Sequence, residues 1–230
     1  MDWGDRQTAA GDAVRPMTFI SRSSKDPAAD NSGKVDGRRL RSERTERQIV
    51  EAYIALARER QQVPTAAQIA ERAGYSVRSI FERFPDLLAL RLAAADHAIA
   101  ERISEGALRD IEGDRPARIR AQVSLRAQGC EKWLPLWRVL NADHGGSDEL
   151  KQRIYRVRLL VMARIEVVFR PELSALAAPE RRKIVIAIEA LVDFESWGRM
   201  RELYRLSFEE ARNVWIRALD RLLPPTATTP

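Results

Sequence analysis

Residues 76–83, SVRSIFER, hold the densest set of side chains able to read a polar surface. Arg78 and Arg83 supply guanidiniums, Ser76 and Ser79 hydroxyls, and Glu82 a carboxylate. On a helix, Val77, Ile80, Phe81 and Phe84 fall at i, i+3, i+4 and i+7 and predict one buried stripe. Arg78, Ser79, Glu82 and Arg83 take the opposite face. That face offers hydrogen bonding rather than bond breaking. An arginine can fork onto guanine or grip a phosphate. Glu82 can accept from cytosine or pair with Arg78 four residues earlier. Ser76 and the first amides of the helix suit a phosphate. Reactive groups are scarce elsewhere. One cysteine, Cys130, allows no disulfide and no cysteine-based metal site within the chain. The two histidines, His97 and His144, have no clustered partners, and Asp96 beside His97 points to another helix face. There is no nucleophile elbow, phosphate-binding glycine loop or metal-spaced cluster. The expectation is no enzyme, no cofactor and no metal.

The elements that must position this face are legible from their ends. Thr65 follows Pro64 and can cap a helix over Ala66–Ala73. Gly74 ends that helix, because a left-handed residue is needed there. Ser76 can cap the next, Val77–Phe84. Pro85 closes it, and Asp86 can cap a long helix to about Gly106. Upstream, Ile49, Tyr53, Leu56 and Ala57 stripe a helix over Arg41–Gln61. A small residue (Ala70), glycine four later (Gly74) and an aliphatic six after that (Ile80) meet the packing requirement of a helix-turn-helix. The competing reading is an ordinary helical corner in a bundle.

The stretch PTAAQIAERAGYSVRSIFERFPDLLAL resembles the DNA-binding segment of the TetR/AcrR family of bacterial transcription regulators. The resemblance covers about residues 45–90 and rests on Thr65, Ile69-Ala70, Ala73-Gly74, Ser76, Phe81, Phe84 and Asp86. It implies an all-α chain with an N-terminal three-helix helix-turn-helix domain and a larger C-terminal helical bundle for ligand binding and dimerisation. The residues it sets at double-stranded DNA are Thr65, Ser76, Arg78, Ser79, Phe81 and Arg83, and Arg44, Ala66, Val77 and Glu82 are further candidates for that surface. Two positions depart from the family pattern. Leu87 stands where a phosphate-gripping lysine is common, and Phe81 where tyrosine is common. Arg38, Arg39, Arg41, Arg44 and Arg47 are candidates to compensate.

The domains expected are a disordered tail at 1–37, the helix-turn-helix domain at 38–90, the helical effector and dimerisation domain at 91–223, and a tail at 224–230. Pro116 starts a helix to about Glu131, KWLPLWRVL is a short piece broken by Pro135, and Asn141–Leu150 is a loop. Helices follow over Asp148–Arg170, from Pro179 to Leu203, and from the Ser207/Glu210 capping box to Leu223. For a homodimer interface the resemblance favours the last two, through Ile184, Ile188, Leu191, Val214, Trp215, Ala218 and Leu222. Trp133, Trp137, Met162, Phe194 and Trp197 are grouped as the lining for an apolar effector. Arg158 and Arg164 are candidates for an anionic ligand, or are simply solvated or paired.

The net charge of +6 is spread along the chain: residues 41–90 carry 8 basic and 7 acidic groups. Charge alone is therefore weak support for nucleic acid. The N-terminus has no signal-peptide pattern, and Ile184–Val192 is too short to span a bilayer. A cytoplasmic protein with no membrane partner is expected. The reading is a ligand-responsive repressor on a palindromic operator. The rivals are a helical interaction protein of the same fold and, more weakly, a small-molecule enzyme in a helical bundle.

Overall fold

The structure, a computed structural model, describes residues 32–105, 112–142 and 147–226. Among them are ten α-helices, one π-helical turn and no strand. The helices are α1 (Ser32–Arg60), α2 (Ala66–Ala73), α3 (Val77–Phe81), α4 (Leu87–Glu105), α5 (Arg115–Asn141), α6 (Asp148–Val168), α7 (Arg170–Leu173), α8 (Ala178–Leu191), α9 (Phe194–Gly198) and α10 (Phe208–Leu222), with the π-helical turn at Arg199–Leu203. No helix among the described residues is long and apolar enough to cross a membrane.

Where helix ends are set by local chemistry, the expected elements appear. Thr65 and Gln68 cap each other, with Thr65 Oγ1 accepting from the Gln68 amide at 3.3 Å. Gly74 is left-handed at φ 74°, and the Tyr75 amide donates to the Ala70 carbonyl at 3.0 Å. Asp86 accepts from the Ala89 amide at 2.7 Å, and Ser207 and Glu210 form the capping box of α10.

Four expectations are corrected. The first helix begins at Ser32, so residues 32–37 of the expected tail are helical; residues 1–31 lie outside the described part. α3 ends at Phe81, where the chain turns early toward Pro85. Pro135 does not break α5, which runs through it to Asn141. A proline inside a helix costs about 3 kcal/mol, and the burial of Trp133, Leu134, Leu136, Val139 and Leu140 around it offsets that cost. The helix from Pro179 does break, at Val192. Asp193 caps a new start by accepting from the Ser196 amide at 2.6 Å, while the Val192 carbonyl takes a hydrogen bond from Arg126 Nε at 2.6 Å.

The core of residues 40–230 is one connected cluster. α5 is its hub, packing against α4, α6, α9 and α10. Trp197 and Trp215 are fully buried with ring centroids 4.9 Å apart. The Trp197 indole donates to Glu131 at 2.6 Å, and Arg201 donates to the same carboxylate at 2.9 Å. These bonds hold the Glu131 carboxyl below its usual range. Glu131→Ala leaves the indole N–H buried without an acceptor. Its expected cost is about 1–3 kcal/mol, checked by urea denaturation.

Tyr53 is fully buried in the core formed by α1, α2 and α3, and no hydrogen bond reaches its hydroxyl. Burial pushes its phenol up to about 12, partly offset by the charge of Arg91. The folded chain thus holds this proton more tightly than the unfolded chain. The contribution is complete below the unfolded value of 10.0 and is lost as pH rises toward 12. Stability should therefore fall over that window, and less steeply in Tyr53→Phe, as read from denaturation midpoints.

Candidate nucleic-acid interface and ligand cavity

α3 is held from one side only. Ile80 is fully buried, with Ile49, Tyr53 and Ile69 equally buried in the same cluster. The Ser76 hydroxyl caps it, accepting from the Ser79 amide at 3.1 Å. Tyr75, in the turn before it, donates from its hydroxyl to Gln48 of α1 at 2.5 Å. Arg44 lies one helical turn before Gln48, on the same face of α1, and is exposed.

The outer face of α3 is open. Ser76, Val77, Arg78, Phe81 and Glu82 are exposed, and the Arg78 side chain retains 88% of its accessible surface. Its Nε pairs with Glu82 at 3.0 Å. An exposed pair of this kind is worth only about 0.2–0.5 kcal/mol, so either member can exchange for another partner. The expected buried stripe is half wrong. Ile80 and Phe84 are buried, but Val77 is 39% and Phe81 45% exposed. A helix of this length is too short to turn all four residues inward once Ile80 is seated. Arg83 also differs from expectation: it bends back to donate to the Ser79 carbonyl at 3.0 Å and is half-buried. Thr65 is exposed at the head of α2, with Ala66 half-buried beside it. Leu87 packs against the core.

Two cavities lie in the C-terminal helices and share Ile99, Arg102 and Val157 as lining. The larger, of about 690 Å³, is walled by α4, α5 and α6. Such a volume is in the range of small-molecule sites. The smaller, about 50 Å³, is lined by Trp133, Trp137 and Phe194. The aromatic group expected around one effector is therefore divided. Met162 and Trp197 line neither cavity; Trp197 packs against Phe208 and Trp215 instead. Of the residues weighed for a ligand, Arg164 lines the large cavity, whereas Arg158 pairs with Glu189 at 3.2 Å. The lining also includes Arg102, Arg126 and Lys132, which the sequence reading missed. The available signal was Arg126 interrupting the apolar stripe between Val123 and Ala127.

The expected dimer residues separate too. Ile188 and Trp215 are fully buried within the protomer, which corrects their assignment to an interface. Val214 and Leu222 are exposed, and Ile184, Leu191 and Ala218 are half-buried. Ile186, which the sequence reading did not single out, is 44% exposed on α8. Asp96 is occupied by Arg153 at 2.8 Å, and no metal-binding cluster exists among the described residues. His144 lies outside them.

No family model and no curated protein matches the chain. Solved structures do. A TetR-family transcriptional regulator from Streptomyces coelicolor superposes with a TM-score of 0.65 at 16% identity, over 78% of this chain and 80% of that one. A TetR transcription regulator from Haloarcula marismortui gives 0.64 at 16% identity, over 79% and 99%. The multidrug binding protein EbrR, complexed with imidazole, gives 0.54 at 17% identity, over 80% and 97%. The chain thus has the fold of TetR-family transcriptional regulators, as the resemblance of its helix-turn-helix segment led one to expect.

Because α3 hangs on one anchor, Ile80→Ala should cost about 2–5 kcal/mol in chemical denaturation. Val77→Ala and Phe81→Ala, on the open face, should each stay within about 0.5 kcal/mol of the parent.

Proposed function

We propose that the protein is a DNA-binding transcriptional regulator, acting as a homodimer and most simply as a repressor, whose operator affinity changes when a small molecule fills the larger cavity. The observation that carries this reading is the open face of α3. A five-residue helix with its cap residues Ser76 and Glu82 exposes a guanidinium, a hydroxyl, a carboxylate and two apolar side chains, while one buried isoleucine fixes its seat.

Such a helix fits a major groove about 12 Å wide. Arg78 reaches guanine once it leaves Glu82. Val77 and Phe81 suit thymine methyl groups, which accounts for exposed apolar residues on an otherwise polar face. Thr65, Ser76 and Arg44 are placed for phosphates, which fix register without reading sequence. Arg83 is the weaker reader, because its Nη1 is already engaged.

The exposed apolar residues of α8 and α10, chiefly Ile186, Val214 and Leu222, support a two-fold interface. A dimer of this kind presents two α3 helices to half-sites one DNA turn apart, roughly 34–36 Å. The EbrR complex supports the view that this fold accommodates a small molecule.

The route from cavity to reader is short. Trp133 lines the smaller cavity, and the Arg58 guanidinium of α1 lies 5.4 Å from the centroid of its ring. The two cavities share Ile99, Arg102 and Val157, so a ligand in the larger one that displaces these against Trp133 moves a contact of the DNA-reading helices. The coupling is reciprocal, so operator DNA weakens ligand binding by the same factor.

The test is selection of a random duplex library at moderate salt. An enriched palindrome is expected, with affinity falling steeply as salt rises. Arg78→Ala with Phe81→Ala should abolish the enrichment, and Ile186→Glu with Val214→Glu should yield monomers that lose the palindrome. A folded dimer that enriches nothing at any salt favours an interaction protein of the same fold, a reading that Leu87 and the near-neutral 41–90 segment motivate.

A further inference from the structure

We infer that the ligand of the larger cavity is an anionic amphiphile, an apolar body ending in a carboxylate or phosphate, rather than a neutral apolar molecule. The inference deepens the regulator reading and rests on it for the cavity's role, but not for the ligand's chemistry.

Most of the lining is aliphatic: Ile99, Leu125, Val157, Leu160, Val161 and Val167 among others. Into this wall project Arg102, Arg126, Lys132 and Arg164, and none of the described lining residues carries a carboxylate. Lys132 is the least available, since Glu101 holds its ammonium at 2.6 Å. Discounting Lys132 leaves three guanidiniums around one apolar volume.

Arg126 is the decisive group. It is 7% exposed, and its Nε is fixed on the Val192 carbonyl at 2.6 Å. Its Nη1 is buried with no hydrogen-bond partner. A charged donor in that state forfeits hydration with nothing in return, and an anion bound beside the guanidinium offsets its charge. The neighbouring guanidinium is held for the same purpose. Arg102 and Arg126 both lie over the Phe194 ring, at 5.2 and 5.1 Å from its centroid. Arg164 is oriented by Gln122, whose side-chain oxygen accepts from its Nε at 2.8 Å. A neutral ligand adds no counter-charge beside Arg126, and a cation is repelled by the guanidiniums of the lining.

The body of the ligand is set by the walls and the mouth. Ile103 and Leu160, both half-exposed or more, line the cavity and extend its apolar surface outward. An alkyl or aromatic chain can lie against them while its head meets the arginines.

The experiment is calorimetric titration of the full-length protein with four probes of one chain length: decanoate, decyl phosphate, decanol and decyltrimethylammonium. At least one anion should bind tenfold or more tightly than decanol, a ratio typical of one charge-assisted hydrogen bond. The cation should not bind. Comparing decanoate with decyl phosphate separates a fatty acid from a phosphorylated or nucleotide-linked acyl chain as the source. Arg126→Gln should remove most of the preference for the anion over decanol, while Arg158→Gln, outside the cavity, should not. Should Arg126→Gln fail to fold, Arg164→Gln and the wild-type ratio still decide. Equal or tighter binding of decanol or of the cation, or no binding of either anion, overturns the inference. Operator selection is measured separately. Anion binding without DNA enrichment defeats the regulator reading alone, and enrichment without anion preference defeats this inference alone.

Discussion

A guanidinium cannot shed its charge, so a buried arginine must be given acceptors, and the fold is arranged around that demand. Arg91, Arg118 and Arg126 are each no more than 7% exposed. Arg91 donates to the Leu140 carbonyl at 3.2 Å, near the C-terminus of α5. Arg118 donates to the Gly113 carbonyl at 2.6 Å and to the buried Glu172. Arg126 holds the Val192 carbonyl. The Arg91 and Arg126 bonds reach a helix end or break that has carbonyls to spare, whereas Arg118 bonds just before its own helix and to the Glu172 side chain. Breaks in the helices and buried charge thus solve each other. The interruption after α8 gives Arg126 its acceptor, and Arg126 satisfies a carbonyl that the interruption freed.

The same three contacts fix what α5 can do. It is pinned near its start by Arg118, in its middle by Arg126 and near its end by Arg91, so it is the rigid wall against which α4 and α6 enclose space. The demand is not met everywhere. Arg126 keeps one buried nitrogen without a partner, and its side chain lines the larger of the two cavities. A local polar deficit in a rigid wall is costly to the empty protein and useful to an anionic ligand, which offsets the charge.

How much of this the sequence disclosed follows from how local each feature is. Thr65, Gly74, Ser76, Asp86 and Ser207 act on amides or carbonyls within a few residues, and each appears at the expected position. The helix-turn-helix was legible for the same reason, since the left-handed turn at Gly74 and the buried Ala70 and Ile80 fall within a short span. Pro135 misled because its penalty is local, whereas the burial that offsets it comes from distant helices. Val77 and Phe81 misled because periodicity assigns a face but not a length, and α3 stops before the stripe is complete. Ile188 and Trp215 were apolar and suitably spaced, yet spacing does not distinguish a side chain buried in its own protomer from one awaiting a partner. The cavity was least legible, because its arginines lie on three helices and meet only through tertiary packing.

The core around α3 and the cavities are therefore not independent modules joined by a linker. α4 carries Arg91, which ties to the end of α5, and it also carries Ile99 and Arg102 of the cavity wall. α1 carries Tyr53 and Ile49, which seat α3, and also Arg58, which lies over Trp133. Both helices thus reach from the core around α3 toward the cavities. Close-packed cores respond to a displaced side chain by shifting whole helices rather than by local give. α3 itself is a five-residue helix whose one fully buried side chain is Ile80. A shift of α1 therefore bears on α3 through a single fully buried side chain.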